Sequence, residues 1–464
     1  MSSRARVGTG RRRWAGAVIA LLVSASLAAC DAGAEPDPDP DPTPTADAPV
    51  DRLTFGAFGA EDEIVAYDAV LAGYNSLSDG PEVELQASPD ADALVDALVS
   101  GDVPDVFMVS RDDLAWLLEE ELTQPVDALL DERGVDFGDG YSRDGLQAFS
   151  VDDRLQCMPY GLSPMVMFYN TELVDFERME RRGLLVPQSW DDEESLTQTW
   201  SFDSFAAAAQ FASRPRRNSR GVYVEPTLES LAPFIYSGGG KLFDDEDAPT
   251  SLAFSDDDTR AALERSLELL RSPLVTPTEK QLARNSPLEM FKKGKLGMIE
   301  GYRSLVPELR QVQGLEFDVI AMPVLESSGT VGDVTGLCLS AEAADTAAAA
   351  DFMVDFLSAP SVQRVAQAGY LVPANLEVAL SEDFLQPGRL PRHAGVFNSS
   401  VRSIQFQPLL TTWLELEQAV SGSLEDLLNE PVLDDLEALT EQIDEESRTV
   451  LDPESVEPSE SVLE

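Results

Sequence analysis

Along this chain, apolar residues alternate between short continuous runs and longer stretches in which they recur every three or four positions. The run over residues 53–58, interrupted by Gly56 and followed by Gly59, predicts a strand, and Ile64, Tyr67, Leu71 and Tyr74 then share one face of a helix. A strand over 83–85, a helix carrying Leu94 and Leu98 and closed by Gly101, a strand over 105–109 and a helix over 112–118 continue the alternation. Strands alternating with helices predict an α/β fold whose sheet is mainly parallel and covered by helices. In such sheets ligands bind beyond the carboxyl ends of the strands. Those ends fall at residues 58–62 and 110–112, which makes Phe58, Glu61, Asp62, Ser110 and Arg111 candidate contacts.

The stretch VDDRLQCMPYGLSPMVMFYN, residues 151–170, changes the rhythm. A polar turn at Asp152 and Asp153 precedes Leu155, Gln156 and Cys157 in an extended pattern; Pro159 and Gly161 interrupt it, and an apolar strand runs over 165–169. The pattern is compatible with a hairpin. It is equally compatible with a crossover that leaves one lobe at Cys157 and enters a second near Met165, placing Tyr160 and Gly161 at the mouth of a cleft. Beyond it the α/β pattern starts again. It has helices over 204–213 and 228–236, the second ending at Gly238-Gly239-Gly240, and a helix carrying Leu263, Leu267 and Leu270 behind a capping box of Ser255 and Asp258. A helix opened by Ser286-Pro287 stops at Gly294, and strands are predicted over 221–224, 296–299, 317–321 and 336–340. After Ala341 the chain reads as almost entirely helical up to an acidic tail over 452–464. No repeat of fixed short period accompanies this twofold recurrence.

Charge and composition narrow the classes. The 464 residues suffice for two to three ordinary domains, and the formal net charge is −51. Such a surface repels phosphate backbones and anionic lipid heads, which argues against nucleic acid as a partner. A single histidine, His393, argues against HExxH zinc sites and against Ser–His or Cys–His relays elsewhere in the chain. Ser237-Gly238-Gly239-Gly240-Lys241 lacks both the first glycine and the hydroxyl residue of a phosphate loop. Gly161-Leu162-Ser163-Pro164-Met165 lacks the second glycine of a nucleophile elbow. With 84 acidic residues, carboxylate pairs arise by composition alone, so a surface-tethered glycan hydrolase is the alternative from another class.

The N-terminus carries an address. Arg4, Arg6 and Arg11, Arg12 and Arg13 precede an apolar run over 14–27, the arrangement of an export signal. The run ends in Leu27-Ala28-Ala29-Cys30, which resembles the bacterial lipobox; the resemblance implies a signal peptide over 1–29, diacylated Cys30 as the new N-terminus, and a protein held on the outer face of the cell membrane. Residues 31–50, rich in Asp and Pro, then form an extended tether.

Seven segments in order carry a wider resemblance. They are PDVFMVS, CMPYGLSPMVMFYN, TWSFDSFAAAAQFAS, SGGGKLF, MFKKGKLGMIEGYRS, VTGLCLS and AADFMVDFLSAPSVQRVAQAGYLVPAN. Together they resemble the extracellular solute-binding lipoproteins of ATP-driven (ABC) importers, the family that includes sugar- and maltodextrin-binding proteins. The resemblance spans residues 53–451. It implies a two-lobed periplasmic-binding-protein fold with ligand in a cleft between lobes, and favours the crossover reading of 151–170. The first lobe is then 51–158 with 337–398, and the second 159–336 with 399–451. It also implies a monomeric, non-enzymatic receptor without cofactor or metal, which closes over a small solute, above all a carbohydrate, and presents it to permease subunits. A sensory receptor of the same fold is the remaining alternative. Since VTGLCLS becomes the returning crossover, the resemblance further implies a Cys157–Cys338 disulfide; two buried free thiols are the alternative.

Remaining cleft candidates are the loop glycines Gly239 and Gly240, the cluster Glu300, Tyr302 and Arg303 between a strand and a helix, and Tyr370 as a platform for a sugar ring. The expected aromatic surfaces are Phe58, Tyr160, Tyr302 and Tyr370, with no tryptophan among them. Polyamines held by Glu61, Asp62 or Glu300, and acids held by Arg111 or Arg303, are the charged ligands this set would accept.

Overall fold

Period-two burial builds the first sheet. In β1 (Arg52–Phe58), Leu53, Phe55 and Ala57 are fully buried. Asn75 of helix α1 (Glu61–Leu77) holds both backbone groups of Val83, tying α1 to β2 (Glu82–Ser88). Helix α2 (Ala91–Val99) follows, its N-terminus capped by Asp90, and leads to β3 (Val106–Ser110). The chain continues through β4 (Thr123–Gln124), the hairpin of β5 (Ser150–Val151) and β6 (Arg154–Leu155), then β7 (Cys157–Pro164) and β8 (Val166–Asn170). Later strands are β9 (Arg220–Tyr223), β10 (Leu296–Gly301), β11 (Phe317–Ile320) and β12 (Gly332–Ser340). The computed structural model describes residues 50–188, 190, 199–430 and 433–455. The export signal, Cys30, residues 31–49 of the tether and residues 456–464 of the tail lie outside the described residues.

Two sheets carry the two lobes. The first has the order β2-β1-β3-β12-β4, with β7 also paired to β12; the second has the order β11-β8-β10-β9. Both are mixed, not mainly parallel as the alternation predicted. β1 is parallel to β2 and β3, and β10 to β9, but β12 is antiparallel to β3, β4 and β7, and β8 is antiparallel to β10 and β11. The reason is the crossover: β7 and β12 run oppositely between the lobes, and a strand arriving from the other lobe needs no covering helix to reverse direction.

β8 shows how one strand serves two cores. Val166 and Phe168 point into a hydrophobic cluster shared with the first lobe, while Met167 and Tyr169 point into the cluster that holds Trp200, Phe205 and Phe234. The helices Trp413–Asn429 and Leu436–Leu451 close that second cluster. Among the described residues no helix is long and apolar enough to cross a membrane. The residues placed at 255–258 do not form the expected capping box: Asp256 caps the helix Asp257–Leu270, and the Ser255 hydroxyl instead donates to Asp444. Competition from a buried carboxylate distant in sequence overrides the local signal.

Cys157 and Cys338 face each other in the register of β7 and β12 and are joined by a disulfide, with Cα atoms 4.3 Å apart.

Candidate ligand-binding cleft

The crossover strands set the floor of a cleft. Gly161 of β7 lies opposite Thr335 of β12, and a Cβ added there would meet the Thr335 hydroxyl at 2.5 Å and Leu371 at 3.0 Å, so only glycine fits. Asp333 lies opposite Ser163. On the outer edge of β7, the Leu162 amide donates to Val372 and the Ala374 amide donates to Tyr160, which lays residues 370–374 along the cleft wall. The second lobe contributes Ser304, Glu308 and Gln311 from the turns after β10. Together these elements enclose a cavity of about 590 Å³, large enough for a small oligosaccharide.

The other wall comes from the carboxyl end of β1, where the topology rule places ligands. Phe58 lines the cavity, and the chain turns at Gly59 into α1. Glu61 and Asp62 on the first turn of α1 are exposed and do not line it; Glu63 does. Residue 63 stands one helical turn before Tyr67, which turns it inward, and the Tyr67 hydroxyl donates to its carboxylate at 3.0 Å. Burial pushes the Glu63 carboxyl up to about 7, against the lowering pull of the Tyr67 bond, with Asp333 adding to the rise. Asp333 lines the cavity with an exposed side chain, yet the depth of protein around it pushes its carboxyl up to about 6, with Asp112 and Glu229 adding repulsion. Burial likewise raises the Asp112 and Glu229 carboxyls.

The predicted site residues divide. Phe58, Gly161 and Tyr370 line the cavity together. Tyr160 does not: its ring is stacked on Phe356 at 5.1 Å inside the first-lobe core, because its neighbour Gly161, and not Tyr160, falls on the cleft face of β7. Ser110 accepts a bond from the Asp112 amide and starts a short turn. Arg111 donates to the carbonyls of Ala148 and Gln407 and lies over the Phe406 ring. Arg303 is fully buried, donates to the carbonyls of Gly369 and Phe384, and lies between the rings of Phe384 and Phe397. Both arginines are structural ties, and neither lines the cavity.

Tyr302 donates to Glu229 at the second-lobe rim, and Glu300 beside it is pushed well up by burial, with Glu225 and Glu229 adding to the rise. Gly239 is a left-handed residue ending the helix Leu228–Ser237, and Gly240 packs against Thr259; neither lines the cavity. Sequence reasoning missed Glu63, Ser163, Asp333 and Thr335. Glu63 had a signal, since Tyr67 was placed on the buried face and position i−4 shares it. Asp333 had none, because its role depends on pairing with a strand 170 residues earlier.

Comparison with known proteins places this geometry. Among curated protein sequences, none matches the chain significantly. An ABC substrate-binding protein of Listeria monocytogenes in complex with cycloalternan is 17% identical, with a TM-score of 0.70 over 87% of this chain and 98% of that one. The GacH receptor of Streptomyces glaucescens, solved unliganded and with acarbose, is 17% identical, with a TM-score of 0.67 over 86% and 98%. The cyclic alpha-maltosyl-1,6-maltose binding protein of Arthrobacter globiformis is 16% identical, with a TM-score of 0.68 over 87% and 99%. The two-lobed fold is therefore the one expected from the sequence. The model of the bacterial extracellular solute-binding proteins matches residues 69–391, well over half of the sequence, and the chain belongs to that family.

Proposed function

We propose that this protein is a membrane-anchored receptor that captures a carbohydrate in the cleft and delivers it to the permease of an ABC importer, without a catalytic step. The observation that carries the reading is the cavity itself, walled by both lobes and floored by the two strands that pass between them. A ligand touching both walls stabilises the closed arrangement by its differential affinity for it. In this reading 51–158 and 337–398 form one lobe and 159–336 and 399–451 the other, and the paired strands β7 and β12 run across both boundaries. Diacylated Cys30 and the Asp/Pro tether would hold a monomer at the outer membrane face within reach of permease subunits. Saccharide binding in neighbours of the same fold supports the ligand class.

A thermal-shift screen over mono- and oligosaccharides tests the reading. A saturating ligand at about 100 times its Kd adds roughly 2.7 kcal/mol to stability. A panel without any shift, or hydrolysis of a panel member, overturns it.

A further inference from the structure

Among the described residues, the cleft is lined by the carboxylates of Glu63, Asp90, Glu308 and Asp333 and by no lysine, arginine or histidine. Their commitments differ. Asp90 caps α2 through the Ala93 amide at 2.9 Å, and Glu308 is held by Lys292. Glu63 accepts from Tyr67. The Asp333 carboxylate receives no hydrogen bond or ion pair among the described residues, and it stands on the crossover strand β12 opposite Ser163.

More negative charge faces Asp333 from both sides. Asp112 belongs to the first lobe and Glu229 to the second, and both act on Asp333 and on Tyr302. Arg111 offsets part of the Asp112 charge, but its N–H groups go to the backbone carbonyls of Ala148 and Gln407 and it does not line the cavity. Bringing the lobes together over a neutral solute therefore confines several carboxylates in a shrinking, drier space, where like charges repel more strongly. An ammonium group on the solute reverses the sign of that contribution. The aromatic walls, Phe58 and Tyr370, suit the same ligand, since they pack against sugar faces and attract cations.

We propose that the carbohydrate bound in this cleft carries an amine, whose ammonium group sits against Asp333 with Glu63 beside it. The proposal rests on the cleft being the solute site. That site is identified independently of its charge, by the two-lobed walls and by family membership. Arg111 and Arg303 being committed elsewhere removes the anchors an acidic solute would need.

Titration calorimetry on the full chain with four probes is decisive: a glucosamine trisaccharide, its N-acetylated counterpart, maltotriose and spermidine. The expected result is tightest binding of the glucosamine trisaccharide, with the acetylated and neutral sugars weaker by about tenfold to a hundredfold, the size of one charge-assisted contact. Asp333→Asn should erase most of that preference, and Glu63→Gln, which keeps an acceptor for Tyr67, part of it. Neutral sugars binding as tightly as the amine would overturn the proposal and leave the carbohydrate reading standing. Binding of spermidine alone would uphold the charge and overturn the carbohydrate. Absence of binding by both amines overturns the proposal. Should Asp333→Asn fail to fold, the probe comparison on the unaltered protein decides by itself.

Discussion

Replacing Cys157 and Cys338 together by alanine removes a cross-link whose cysteines are 181 positions apart. In the chain-entropy picture the cross-link acts on the unfolded state, and a loop of this length is worth about 5 kcal/mol at 25 °C. Both cysteines are fully buried, so lost sulfur packing adds about 1 kcal/mol. Against a total of roughly 5–15 kcal/mol for an ordinary protein, that is a third or more of the stability. Urea denaturation at neutral pH, with and without the double substitution, measures it. The slope on denaturant should also increase, because an uncrosslinked unfolded chain exposes more surface. Ligand affinity should stay unchanged, since the bond joins β7 and β12 at the end away from the Gly161–Thr335 pair. A loss below about 1 kcal/mol would refute the loop-closure reasoning. A loss of affinity at full stability would instead show that the bond shapes the cleft.

Other expectations follow from the cleft and the N-terminus. Glu63 faces Tyr67, Tyr160, Asp333 and Tyr370, and its carboxyl is raised from 4.5 to about 7 in the fold. The protonated form is thus favoured by folding, and its contribution is full below pH 4.5 and lost as pH rises through 7. Wild type should lose up to about 3 kcal/mol over that window relative to Glu63→Gln, and melting curves of the two proteins that run parallel with pH would contradict the assignment. Tyr370→Ala should weaken solute binding about tenfold with little change in Tm, measured by calorimetry beside thermal melting; unchanged affinity would remove Tyr370 from the site. Cys30→Ser should release the protein from membranes or block its processing, read by fractionation. Equal membrane retention would sink the lipid anchor.

How much was legible in the sequence differs between fold and cleft. Period-two runs such as 53–58 and the i, i+3, i+4 spacing of Ile64, Tyr67, Leu71 and Tyr74 determined strands and helices, because each element must present an apolar face whatever lies beyond it. The two-lobed assignment came from the order of seven segments, while Phe58 was placed by the carboxyl end of the first strand, Gly161 by the crossover reading of 151–170 and Tyr370 as a platform for a sugar ring. What the sequence left open was decided by long-range pairing. The direction of β8 and β12, and so the mixed character of both sheets, depends on which strand each one meets. Whether Tyr160 or Gly161 faces the cleft turns on a single residue of register, since neighbours along a strand point to opposite sides. Arg111 and Arg303 were candidate anchors for an acidic solute because each follows the carboxyl end of a predicted strand, where ligands of such sheets bind. Only the tertiary structure shows the carbonyls of Ala148, Gln407, Gly369 and Phe384 that engage them first. The acidic floor is of the same kind. Glu63, Asp112, Glu229 and Asp333 are scattered among 84 acidic residues, and the structure makes them neighbours whose mutual repulsion a bound cation can relieve.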